Sequence, residues 1–213
     1  DDNPKRAMSG DLVMAEIMGS DSGKHSNRRH ARIIEVLGSM SDPRTISLIS
    51  IHNHSIPCTF SPETLKQAQK ATQAPMSERT DLRSIPLVTI DGETARDFDD
   101  AVFAEKKGRG WRLVVAIADV SHYVKPGSSL DREAMARGNS VYFPRRVIPM
   151  LPEKLSNGLC SLNPDVERLA MVCDMDLNAR GEIKAYTFYP AVFLSKARLT
   201  YTQVWDWLSG AVQ

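Results

Sequence analysis

The sequence predicts an α+β fold in two parts. Residues 1–60 read as a piece of a small β-barrel and residues 84–213 as a mainly antiparallel mixed α/β domain, with a helix and connection over 61–83 between them. Three observations lead there. Residues 11–60 break into short apolar runs separated by Gly, Pro and Ser, as barrel strands and their turns do. From Leu87 onward, apolar runs alternate with helix-capping residues. Between the two parts the chain turns polar.

In the first part, residues 11–18 and 31–37 are apolar-rich and are followed by Gly19 and Gly38. Residues 45–51 alternate apolar and polar with period two, which predicts a third strand. The segment 24–30 between the first two strands is basic with no acidic residue, and its Arg28 and Arg29 are candidate phosphate contacts. A solvated hairpin tip explains it equally well. Ser61 can cap a helix and Pro62 suits its first turn, with Leu65 and Ala68 as a thin apolar stripe. Residues 72–83 read as an exposed connection.

In the second part, residues 87–90 form a short buried strand that runs into an acidic segment. Residues 99–105 and 111–120 are the next two strands around a turn at 106–110. The second of them is apolar on both faces over 113–118, so it belongs in the middle of a sheet. Ser128 or Ser129 caps a helix that runs through Arg137 and stops at Gly138. Residues 139–143 extend to Pro144. Residues 169–177 and 182–194 form a hairpin around 178–181. Thr200 or Thr202 opens a last helix carrying Val204, Trp205 and Leu208.

Composition excludes little. Of 213 residues, 42% are apolar and 25% charged, an ordinary balance for a folded chain. The formal charge of +1 neither implies nor excludes a nucleic-acid partner, so any electrostatic footprint must be local. Cys58, Cys160 and Cys173 show no C-x-x-C spacing, which predicts reduced, mostly buried thiols and a cytoplasmic protein. No apolar run approaches the roughly 20 residues of a membrane span. The chain opens on Asp1-Asp2-Asn3-Pro4 without methionine, the expected appearance of a piece of a longer protein.

The strongest chemical signal is the segment from Asp91 to Asp100, with four aspartates and a glutamate in ten residues between apolar runs. Such crowding pushes carboxyls toward protonation unless a cation neutralises them. Mg²⁺ takes oxygen ligands, commonly one or two carboxylates plus substrate phosphate. A metal-assisted site for a phosphate ester follows, with a solvated acidic loop as the alternative. An EF-hand does not fit, because counting from Asp97 places Val102 at the turn glycine and Gly108 at the bidentate glutamate. On a regular strand Asp97 and Asp99 would share a face and Asp100 would point away. If all four carboxylates converge, the backbone at 97–100 must therefore be irregular.

The run Ile90-Asp91-Gly92 through Arg96-Asp97-Phe98-Asp99-Asp100-Ala101-Val102 resembles the catalytic domain of the ribonuclease II (RNB) family. Further blocks follow in order: Val115 to Ser121, Leu130 to Ala134, Ser140 to Pro144, Val147 to Glu153 and Leu155 to Leu162. Residues 11–60 are similar to the end of the family's second cold-shock, OB-type domain. The resemblance implies a partial OB-type barrel followed by a truncated RNB domain. It implies processive, Mg²⁺-dependent 3′→5′ hydrolysis of single-stranded RNA with a free 3′ end to 5′-nucleoside monophosphates, with Mn²⁺ able to replace Mg²⁺. Asp91, Asp97, Asp99 and Asp100 match the four catalytic, metal-holding aspartates, and Asp99 matches the one most tied to chemistry. Tyr142 falls on an aromatic that stacks on a base near the 3′ end, and Tyr201 on a channel residue; ordinary packing explains either ring as well. Asp119 and residues 156–160 match the family as structural positions.

The resemblance also implies partners in the parent chain, a first cold-shock domain and an S1 domain, in a protein that is monomeric at full length. The isolated 213 residues are expected to bind RNA weakly and cut it little. Two other readings remain: an RNA-binding relative without activity, and a phosphohydrolase for small nucleotides. All four aspartates are present, which disfavours the first, and no P-loop glycine motif supports the second.

Overall fold

The computed structural model describes residues 7–18, 30–73, 76, 78–144 and 146–211. They form two compact units: residues up to Thr59 together with Ser140–Ile148, and Phe60–Asn139 together with Pro149 onward.

In the first unit, β1 (Asp11–Met18) and β2 (His30–Ser39) pair antiparallel with two register shifts. Residues 45–51, expected as a strand, instead lie in a helix, α1 (Pro43–Asn53). The same letters carry both periods. Ile46 and Ile49, and Leu48 and Ile51, are three apart, and Pro43 stands at the first helical position, where its fixed φ favours a helix start. Among the described side chains of this helix, Thr45 and Ile51 are buried. No closed barrel forms among the described residues. Arg28 and Arg29 lie outside them.

The second unit opens with α2 (Pro62–Lys70), capped as expected by Ser61, whose hydroxyl accepts from the Thr64 amide at 3.2 Å. Its buried residues are Thr64 and Ala68, while Leu65 is exposed. Thr64 can be buried because its hydroxyl donates to the Ser129 carbonyl at 3.2 Å. The connection after α2 is less exposed than its polarity suggested. It contains β3 (Thr80–Asp81), and Leu82 enters the core.

There follow β4 (Thr89–Asp91), β5 (Asp100–Lys107), β6 (Gly110–Ala118), α3 (Val120–Tyr123) and α4 (Ser129–Arg137). The hairpin of β7 (Val141–Phe143) and β8 (Arg146–Ile148) groups with the first unit. A π-helix (Lys154–Leu159), β9 (Glu167–Leu177), β10 (Ile183–Leu194), β11 (Arg198–Thr200) and α5 (Tyr201–Ser209) complete the chain. The caps at Ser128 and Thr200 and the stop at Gly138 (φ 75°) stand where the sequence signals them. The π-helix and α3 had no sequence expectation.

The main sheet has the order β3-β10-β9-β6-β5, antiparallel except at β3. β6 has a neighbour on each side, as expected of a central strand, but only one of its faces is fully covered: Ile117 on the other is 46% exposed. Val114, Ala116 and Ala118 turn inward with Ala170, Val172, Ala191 and Phe193 to form the core, into which Leu130, Leu155 and Leu162 also pack. Gly110 begins β6 against the backbone of β9. A Cβ there would lie 2.0 Å from the Leu177 carbonyl oxygen. Backbone cannot yield as a side chain does, so Gly110→Ala is expected to cost about 1–3 kcal/mol, read as a lower denaturant midpoint. An unchanged midpoint would contradict that close approach.

Candidate active site around the acidic loop

Asp91 ends β4 and Asp100 begins β5; residues 92–99 between them adopt neither helix nor strand. This is the irregular backbone that convergence of the carboxylates demands. Its inward anchor is Phe98, 2% exposed, whose burial contributes about 1.5–3 kcal/mol to holding the loop. Asp97 before it is half-buried, while Asp99 and Asp100 after it are both exposed, and Ala101 is again fully buried. Two successive outward residues break the strict alternation of a strand.

The loop is fastened from several directions. The Leu162 amide donates to the Phe98 carbonyl and the Ala118 amide to the Asp99 carbonyl, both at 2.8 Å. The Gly92 amide donates to Asp91 Oδ1 at 2.7 Å. Val88 and Val102 bridge antiparallel, so β4 and β5 approach each other at the base of the loop.

Burial raises the Asp100 carboxyl above its ordinary value, and the charges of Asp99 and then Asp91 push it the same way. The charges of two other expected aspartates therefore reach Asp100, although Asp91 is nine positions from it in sequence. Their donors are hard carboxylate oxygens whose mutual repulsion a divalent cation relieves, and in kind they fit Mg²⁺. Among the described residues, no three His, Cys, Asp or Glu side chains are already gathered into a group that could hold a metal ion. An ion bound here would need further ligands, the usual situation of Mg²⁺ sites completed by water and substrate phosphate.

The two candidate aromatics fall in different units. Tyr201, 62% exposed, opens α5 directly after Thr200, the register partner of Asp91 in the parallel β4–β11 pair. Tyr142, 63% exposed, lies on β7 in the first unit. Sequence reading did not single out Arg198 or Ser161, both of which bond the acidic loop. Asp119 caps α3 and pairs with Arg79 at 2.6 Å, consistent with a structural position. Of the three free thiols, Cys160 is buried and Cys58 exposed, so the expectation of burial fails for Cys58. Burial, aided by the Asp119 charge, pushes the Cys160 thiol up to about 12, which keeps it protonated and inert.

Comparison with known proteins adds the family. Residues 79–213 match the RNB domain. The chain belongs to the RNB family. Residues 1–61 of this RNB chain match a cold shock domain. Ribonuclease R of Vibrio cholerae is 52% identical over 209 residues, 96% of this chain but 25% of its own length. Ribonuclease R of Escherichia coli is 56% identical over 185 residues, 84% of this chain and 23% of its own length. Mycoplasma genitalium RNase R, solved with ribose-methylated single-stranded RNA, superposes with a TM-score of 0.87 at 34% identity, covering 99% of this chain and 33% of that one. The RNB chain thus spans about a quarter of the length of the curated relatives it matches. Among the described residues, no helix is long and apolar enough to cross a membrane.

Proposed function

We propose that the full-length protein carrying this chain is a cytoplasmic 3′→5′ exoribonuclease of the ribonuclease R type. It degrades single-stranded RNA processively from a free 3′ end and releases 5′-nucleoside monophosphates. The observation that carries the reading is the acidic loop of an RNB chain, where Asp91 ends β4, Asp100 opens the edge strand β5 and the exposed Asp99 stands beside it. Carboxylates crowded on an irregular loop suit a substrate that arrives with phosphate and cation.

Asp91, Asp97, Asp99 and Asp100 are the residues that would hold Mg²⁺, or Mn²⁺ in its place. When bound, the ion supplies charge stabilisation on the phosphate oxygens and lowers the pKa of the attacking water. Asp99 serves the chemical step, and its exposed carboxylate can orient the water. Tyr142 and Tyr201 present exposed rings for bases to stack on, a sequence-tolerant contact worth about 1–3 kcal/mol per base. The chain's similarity to an RNase R solved with single-stranded RNA supports this class of substrate.

The test is end dependence. With full-length protein and Mg²⁺, 5′-labelled RNA bearing a free 3′ hydroxyl should shorten without long intermediates and yield 5′-nucleoside monophosphates. The same RNA sealed into a circle should persist, and chelation should stop the reaction. Linearisation of the circle, or release of 3′-nucleotides, would overturn the proposal.

A further inference from the structure

We propose that Ser161 and Arg198 are positioning residues that set the relative reach of the aspartates by clamping the backbone of residues 95–98. The inference rests on the reading of the acidic loop as the site of RNA hydrolysis. It identifies two side chains that act through the loop rather than on the substrate.

The loop has no regular ladder of its own, so its peptide groups need partners from elsewhere. One hydroxyl supplies two of them. Ser161 Oγ accepts from the Phe98 amide at 3.2 Å and donates to the Arg96 carbonyl at 3.1 Å. Those two groups flank Asp97, so a single side chain fixes the peptides on both sides of that aspartate. Ser161 cannot swing away. It is fully buried, its amide donates to the Gly158 carbonyl at 3.1 Å, and its carbonyl accepts from Arg168 Nε at 2.8 Å.

Arg198 holds the same loop from the exposed side. Its Nη2 donates to the Ala95 carbonyl at 2.8 Å, and its guanidinium lies 4.3 Å from the centre of the Phe98 ring. Arg198 also belongs to β11, which runs in register with β4: Arg198 beside Thr89, Thr200 beside Asp91. One residue therefore ties the strand that carries Asp91 to the loop that carries Asp97 and Asp99. Ser161 sets the shape of the loop, and Arg198 sets its distance from Asp91.

The consequence is kinetic. Removing the Ser161 hydroxyl deletes two hydrogen bonds and almost no packing volume. A displacement of about 1 Å in a reacting group, however, can cost roughly a hundredfold in rate. Arg198→Lys keeps the positive charge but loses the planar fork that reaches Ala95 while covering Phe98.

The experiment uses full-length protein with Ser161→Ala and, separately, Arg198→Lys. Four quantities are compared: single-turnover cleavage of RNA, RNA affinity in chelator, thermal midpoint, and amide hydrogen exchange at residues 95–99. Each variant should cleave roughly 10- to 100-fold more slowly while its RNA affinity stays within about twofold. Exchange at the Phe98 amide should accelerate in Ser161→Ala. Cleavage at the unsubstituted rate despite accelerated exchange would overturn the proposal. So would losses of rate and affinity that simply track a lowered thermal midpoint. If Ser161→Ala does not fold, the exposed Arg198→Lys variant decides alone. Failure of the unsubstituted protein to cut RNA would instead sink the nuclease reading, a separate result from equal rates in variant and parent.

Discussion

Asp99→Asn in the full-length protein should abolish most cleavage while RNA still binds. The substitution preserves side-chain size and removes one negative charge from a cluster in which that charge already acts on Asp100. If Asp99 serves the chemical step, its loss should raise the barrier by about 3–4 kcal/mol, which is roughly 10²–10³ in rate. RNA affinity should hold or improve slightly, because the variant repels phosphate less. Single-turnover cleavage on 3′-end RNA, with binding measured in parallel, separates the two effects. Unchanged cleavage would remove Asp99 from the mechanism, and a parallel loss of binding would make it a substrate contact instead.

The largest expected effect on stability lies away from the acidic loop, at the pair of Arg79 and Asp119. Their side chains are 11% and 6% exposed and meet at 2.6 Å. Asp119 Oδ1 also accepts from the Ser121 hydroxyl at 2.7 Å and from the His122 amide at 3.2 Å. Burial pushes the Asp119 carboxyl up, but the Ser121 hydroxyl and the Arg79 guanidinium outweigh it and hold the carboxyl below its ordinary range. Asp119→Ala leaves a buried guanidinium with no counter-charge, in a place where Arg79 Nη1 already has no hydrogen-bond partner. Breaking such a pair costs about 3–5 kcal/mol.

The pH dependence carries a definite sign. A carboxyl with a depressed folded-state pKa contributes stability above its unfolded pKa, near 3.9, and loses that contribution as pH falls through the folded value. The gap in thermal midpoint between the unsubstituted protein and Asp119→Ala should therefore be full at neutral pH and shrink in acid below the ordinary carboxylate range. A gap that stays constant down to strongly acidic pH would show that lost packing, not the ion pair, explains the variant. The double replacement Arg79→Met, Asp119→Leu should recover only the part of the loss due to the unpaired guanidinium, because a leucine there needs no counter-charge but cannot accept from the Ser121 hydroxyl and the His122 amide.

Much of the second unit was legible because its signals are local. Ser61, Ser128 and Thr200 cap helices through bonds to amides three positions on, so residue type and immediate neighbours suffice. The apolar run 113–118 signals the central strand, although its second face stays open at Ile117. Residues 45–51 misled because isoleucines and leucines there satisfy periods of two and of three to four at once. Leu65 misled because Thr64, with a hydroxyl partner on a distant segment, takes the buried position that an apolar count assigns to leucine.

The acidic site divides along the same line. The order of residues signalled its candidate chemistry: four aspartates in ten residues, and the requirement that the backbone there be irregular if the charges were to meet. That requirement comes from the fixed alternation of a strand, which needs no knowledge of the rest of the chain. Only the tertiary structure decided how the irregular loop is held. Its clamps, Ser161 and Arg198, stand 63 positions from Phe98 and 103 positions from Ala95. A hydroxyl or guanidinium carries no mark of which distant peptide group it will satisfy. The need for a partner is local, while its identity depends on which strands the sheet brings side by side.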